Sequence, residues 1–306
     1  MEETLPDKLS VLRDEMRIEH LDAFVFTTSD GHGSRRIARH WNDVQWLSGY
    51  DIDGLTLILT ASKAMLCPEN EAMRETLRPL ITDDFQLLPP ATAIIDWLGL
   101  ELEPINGAIV GIDGRTTPIA TALTLEKGLR QHGGINLRWN FNPTDRLWSD
   151  RDPLPAPLLS PMSTDTTLTE RIKMVKQALR EQHCDGMLVT SLLDIALILG
   201  VHPTKQDGRP AFEAYMIIAP EQSTLYINKV EDLQRQMSIL PSTEVDMKAL
   251  SQWKEGAADY FAYNILIDPA TCPIVLPPYL PERTKQVLAT SPIEATLKSL
   301  YPNPIL

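Results

Sequence analysis

The chain has 306 residues, 43% of them hydrophobic, and a formal net charge of −13 with a pI near 4.9. That length supplies two ordinary cores, while the acidic balance speaks against a nucleic-acid or anionic-membrane surface. No apolar run reaches membrane-spanning length, the first twenty residues are charged throughout, and Cys67, Cys184 and Cys272 form no CxxC, so the sequence reads as a soluble, cytoplasmic protein with reduced thiols and no signal peptide.

Leu9, Leu12 and Met16 share one face of a predicted helix that ends at His20 and feeds the apolar strand Ala23 to Thr28. Ser34 to Leu47 carries Ile37, Ala38, Trp41, Val44 and Leu47 at helical spacing. Leu55 to Leu59 and Ala64 to Leu66 read as a β-hairpin. Then come a helix from Glu71 to Leu80, a strand from Phe85 to Leu88, a helix from Ala93 to Leu98 and a strand from Ala108 to Ile112. Thr117-Pro118 opens a helix that runs to Gln131 and stops at Gly133-Gly134. Pro153, Pro155, Pro157 and Pro161 make the next stretch an extended connector, which sets the expected domains at 1–155 and 156–306.

The second half repeats this order. A helix from Leu168 to Gln182 precedes a strand from Met187 to Thr190, a helix from Leu192 to Leu199 and strands at Glu213 to Ala219 and Thr224 to Ile227. Helices are predicted at Glu231 to Met237 and Met247 to Trp253, a strand at Asn264 to Ile267 and a last helix at Ile293 to Leu300. A shift of 163 residues, from His20 to His183, also superposes Arg17 on Arg180, Asp22 on Asp185 and Thr27 on Thr190. Asp43 to Gly49 echoes Asp194 to Gly200. The pattern is a tandem duplication of one α/β domain, each copy with a strand covered on both faces.

Signatures of chemistry are sparse. Gly31-His32-Gly33-Ser34 follows a strand but lacks the third glycine of a dinucleotide loop, and leaves a tight turn or an anion-binding helix start helped by Arg35 and Arg36. Neither HExxH nor GxSxG is present. His20 and His183 hold equivalent helix ends, a structural position where imidazole can meet the last carbonyls. Trp41 shares the predicted apolar face of Ile37 and Val44, which favours a core role.

Taken together, Asp22 to Ser34, Ile37 to Trp41, Trp46 to Tyr50, Val110 to Asp113, Asn142 to Pro153 and Asp185 to Ala196 resemble the N-terminal part of the three-domain, cytosolic-type Xaa-Pro aminopeptidases, or aminopeptidase P. Asp51-Ile52-Asp53-Gly54 and Pro68-Glu69-Asn70-Glu71 depart from that family's pattern. The resemblance implies an α/β fold of two tandem creatinase-N-like domains, each a central mixed β-sheet flanked by helices. It also implies a third, pita-bread domain beyond Leu306, holding two divalent metal ions, manganese or zinc, and cleaving the residue before a proline.

On this reading the chain is a non-catalytic N-terminal region with no catalytic and no metal-ligating residue of its own. It would shape access for short proline-containing peptides and support a homodimer. His32 and Trp41 are the candidate binding residues, facing the substrate mouth or a partner subunit. The rival is a stand-alone binding or oligomerisation protein derived from the same family, and the apolar stretch Tyr301 to Leu306 disfavours it. A hydrolase with a site inside these two domains is a third reading, without a nucleophile, metal cluster or acid–base pair to carry it.

Overall fold

The computed structural model describes residues 5–34, 36–203, 208–210, 212–236, 245–260 and 263–301. Contacts divide the chain into two units, Met1–Asp30 with Arg39–Asp152 and Gly31–Ala38 with Pro153–Leu306.

In the first unit, α1 (Leu5–Ile18), β1 (Ala23–Thr27), α2 (Asp43–Ser48), β2 (Thr56–Thr60), β3 (Ala64–Cys67), α3 (Glu71–Leu77), β4 (Gln86–Leu87), α4 (Ile94–Leu102), β5 (Ile109–Ile112), α5 (Ile119–Gln131) and β6 (Asn136–Arg138) follow in order. The sheet order is β4-β3-β2-β1-β5-β6, with β1 antiparallel to β2 and parallel to β5. Leu9, Leu12 and Met16 bury the inner face of α1, as their spacing predicts.

The second unit contains β7 (Leu159–Pro161), α6 (Leu168–Glu181), β8 (Gly186–Val189), α7 (Leu192–Leu199), β9 (Val201–Pro203), β10 (Ala214–Ile218), β11 (Ser223–Ile227), α8 (Val230–Gln236), β12 (Val245–Ala249), α9 (Trp253–Ala258), β13 (Asn264–Ile267), β14 (Lys285–Leu288) and α10 (Ile293–Leu297). Its main sheet, β12-β11-β10-β8-β13-β14, repeats the topology of the first. Both units are therefore mixed six-stranded sheets flanked by helices, the α/β fold expected.

The residues shared by the two halves explain themselves here. His20 and His183 take the left-handed conformation at the ends of α1 and α6, with φ of 56° and 58°, and the next amides close each helix by donating to Met16 O and Leu179 O at 2.8 and 2.9 Å. Asp22 donates its amide to Ile109 O and accepts from Ile109 N at 2.8 Å, while Asp185 makes the same pair of bonds with Asn264. One aspartate in each unit thus fixes the register where two parallel strands begin.

Four expectations are corrected. Ser34 to Leu47 is not one helix: residues 31–38 belong to the other unit, Arg39–Trp41 is a single 3-10 turn, and Asn42 caps α2 by accepting from Gln45 N at 3.0 Å. Val245, Met247 and Ala249 alternate on the edge strand β12, paired in parallel with β11, where a helix from Met247 was predicted. Edge strands β6 and β14 went unread because Asn136-Leu137-Arg138 and Lys285 to Leu288 lack an apolar run. The proline-rich connector contains β7, paired antiparallel with β9. Arg35 and Met237 lie outside the described residues.

Candidate functional site

In the first unit, β1, β5 and β6 run parallel and release the chain at the same end of the sheet, the position where open α/β sheets place ligands. Polar side chains gather there. Asn142 Nδ2 donates to Asp43 Oδ2 and Asp113 Oδ2, at 2.8 Å each. Thr144 Oγ1 donates to Asp43 Oδ1 at 2.9 Å, and Arg151 Nη2 approaches the same oxygen at 3.2 Å. Arg115 clamps Asp113, with Nη2 to Oδ2 at 2.6 Å, and reaches Asp145 at 2.9 Å.

Burial pushes the Asp43 carboxyl up to about 6; Arg151, Asn142 and Thr144 oppose that rise, and Asp113 adds to it. Burial works against the Arg115 charge too, but its bonds and attraction to Asp113 and Asp145 outweigh it, so the guanidinium is held firmly protonated. Trp41 sits half-buried at the margin of this cluster, with the Arg115 guanidinium 5.7 Å from its ring centroid and the His40 imidazole edge-on at 4.5 Å. The helical face it was predicted to share with Ile37 does not exist, because Trp41 ends a single 3-10 turn and the helix starts only at Asp43.

His32 also belongs to the second unit and is buried there, 2% exposed. Its Nδ1 lies 2.8 Å from Thr190 O and its Nε2 lies 2.6 Å from Glu213 Oε1. A carbonyl oxygen can only accept, so Nδ1 carries a proton and donates. One further proton then lies between Nε2 and the carboxylate. The Tyr215 ring packs 5.1 Å from the imidazole.

The second unit repeats the carboxylate arrangement of the first at the ends of β8, β13 and β14. Ser291 Oγ donates to Asp194 Oδ2 at 2.6 Å, while Ser291 N donates to Asp268 Oδ2 at 2.7 Å. Asp268 Oδ1 accepts from Ala270 N at 2.9 Å, as Asp113 Oδ1 accepts from Arg115 N at 2.8 Å. Burial pushes Asp194 up to about 6 as well, opposed by the Ser291 bond and reinforced by Asp268 and Glu294. Sequence reasoning missed both clusters as sites. The usable signal was the echo that aligned Asp43 with Asp194.

This arrangement makes stability depend on pH with a definite sign. Between about pH 4 and pH 6 the folded chain keeps a proton on Asp194 that the unfolded chain has released, so stability falls as pH rises through that window. Asp194→Asn keeps an oxygen for Ser291 and removes the charge. Urea unfolding is expected to show the variant gaining about 2–3 kcal/mol relative to the parent between pH 4 and pH 8. A difference that stays flat with pH would refute this.

Among the described residues, no three or more His, Cys, Asp or Glu side chains are arranged to hold a metal ion, and none of the helices is long and apolar enough to cross a membrane. The three cysteines are free and buried. In each cluster the carboxylates are bound by donors of their own unit, an arrangement that fixes loops to the sheet.

Residues 8–137 and 153–300 each match a family model of the creatinase/prolidase N-terminal domain. Xaa-Pro aminopeptidase app-1 of Caenorhabditis elegans is 23% identical over 265 residues, 81% of this chain and 42% of that protein. "Probable Xaa-Pro aminopeptidase P" of Neosartorya fischeri is 24% identical over 278 residues, 85% of this chain and 42% of that protein. The crystal structure of an X-prolyl aminopeptidase from Caenorhabditis elegans, a cytosolic enzyme with a di-nuclear active site, shares the fold. It has a TM-score of 0.80 at 18% identity over 95% of this chain and 51% of that one. The chain thus spans 42% of the length of both curated relatives.

Proposed function

We propose a function from the premise that this chain belongs to the creatinase/prolidase N-terminal domain family, of which it carries two copies in tandem. It is the N-terminal region of an Xaa-Pro aminopeptidase-like hydrolase, which releases the residue ahead of a proline, and the region itself is non-catalytic. Its two units wall the substrate mouth, restrict it to short peptides and contribute contacts to a homodimer. The observation that carries this reading is the tandem match, together with Xaa-Pro aminopeptidases of which the chain spans 42%.

Asp43, Asp113, Asp194 and Asp268 accept hydrogen bonds from neighbours that anchor loops. The described residues do not fit a di-nuclear metal centre, so we assign the metal ions of such an enzyme, manganese or zinc, to another part of the protein. Trp41, half-buried beside Arg115, is the side chain we assign to a surface that meets peptide or partner subunit. His32 has no exposed side-chain area and supports the second unit from within.

The purified 306-residue chain, mixed with an Xaa-Pro tripeptide and Mn²⁺ or Zn²⁺, is expected to release no N-terminal residue above the protein-free rate. Metal-dependent release by this chain would overturn the assignment. Light scattering is expected to give twice the chain mass of 34.3 kDa, and a monomer at micromolar concentration would remove the dimer from the proposal.

A further inference from the structure

The Gly31-His32-Gly33 stretch lies in sequence between parts of the first unit and packs in the second. The segment 31–38 that it opens is held at three points. At one end His32 is held by Thr190 O and Glu213. In the middle Gly33 takes φ of 69° and lies so close to Thr271 that a Cβ there would meet Thr271 Cγ2 at 3.1 Å. At the other end Arg209 Nη1 donates to Ile37 O at 2.7 Å, and Ile37 itself is 1% exposed.

We propose that residues 31–38 are a core element of the second unit, opening and closing with it as one cooperative body and independent of the first unit that flanks them in sequence. The physical argument rests on what release would cost. Withdrawing the segment would strip the Glu213 carboxylate of its imidazole, the Thr190 carbonyl of the Nδ1 donor and Arg209 Nη1 of the Ile37 carbonyl. A buried charge or polar group left without its partner is among the costliest defects a protein can hold. Local detachment is therefore dearer than opening the surrounding structure together with the segment, and protection in such a body is shared. The second unit is in this sense discontinuous: its contiguous part begins at Pro153, and it is completed by eight residues from far upstream.

The native cysteines supply the reporters, since Cys67 is buried in the first unit and Cys184 and Cys272 are buried in the second. A fourth thiol is introduced by Ala38→Cys, at a position 4% exposed. Labelling of the full chain by an aromatic disulfide reagent is followed in sub-denaturing urea. The thiol at position 38 is expected to react in step with Cys184 and Cys272. Ile218→Val in β10 is expected to speed it about threefold to tenfold, and Ile58→Val in β2 is expected to speed Cys67 by a similar factor while leaving position 38 unchanged. Acceleration of position 38 by Ile58→Val would overturn the proposal, as would insensitivity to both substitutions. Should Ala38→Cys fail to fold, Ile37→Cys carries the same test.

Discussion

Replacing His32 by leucine is expected to cost about 3–5 kcal/mol of stability in the second unit, more than any surface substitution in the chain. The imidazole fills a site in which both ring nitrogens face acceptors, Thr190 O at 2.8 Å and the Glu213 carboxylate at 2.6 Å, and the two side chains are 0% and 3% exposed. Leucine would take the imidazole donor away from the buried carboxylate. Glu213→Leu is expected to cost about as much, because it takes the carboxylate away from Nε2 of the buried imidazole.

The decisive measurement is the double variant. With both partners gone, most of the penalty disappears, and the loss that remains is about 1–3 kcal/mol for the Thr190 carbonyl without the Nδ1 donor. A coupling energy of about 3 kcal/mol or more from urea unfolding would establish the pair. Additivity within about half a kcal/mol would show that the two groups act separately.

A comparable loss is expected at Arg171. This residue of α6 is 3% exposed, and its guanidinium donates from Nε to Ile198 O at 2.7 Å, from Nη2 to Leu199 O at 3.0 Å and from Nη1 to Thr166 O. Ile198 and Leu199 end α7, where the last carbonyls have no partner within the helix. The chain turns away at Gly200, with φ of 71°, and a Cβ at Gly200 would meet Arg171 Nη2 at 2.7 Å. One buried side chain therefore closes a helix end that has no room for any residue but glycine.

Arg171→Met keeps an unbranched apolar stem and removes every donor. It is expected to cost about 3–4 kcal/mol by urea unfolding, since two helix-terminal carbonyls would stay buried and unpaired. Lysine should recover less than half of this loss, because one ammonium on a flexible stem cannot span the three oxygens that the planar fork reaches. Full recovery by lysine would mean that charge, and not the fork, is what the site requires.

Much of the fold is written locally. The face of Leu9, Leu12 and Met16, the apolar run from Ala23 to Phe26 and the recurrence of His20 and Asp22 at His183 and Asp185 predict helix, strand and duplication from spacing alone, because each pattern has the period of its own element. The sequence by itself determined the acidic surface, the two α/β copies and the resemblance to the creatinase/prolidase N-terminal family. Where local and distant contacts compete, tertiary structure decided. Ser34 to Leu47 has helical periodicity, yet residues 31–38 group with one unit while Val44 packs in the core of the other, and only Asp43–Ser48 is α-helical. Val245 to Ala249 becomes a strand because β11 offers an edge to pair with. The same holds for the polar centres. Asp43 lies 99 positions from Asn142, and His32 lies 181 from Glu213, so no motif records these pairs. Only the folded sheet, which gathers its parallel strand ends on one side, brings such residues within hydrogen-bonding distance.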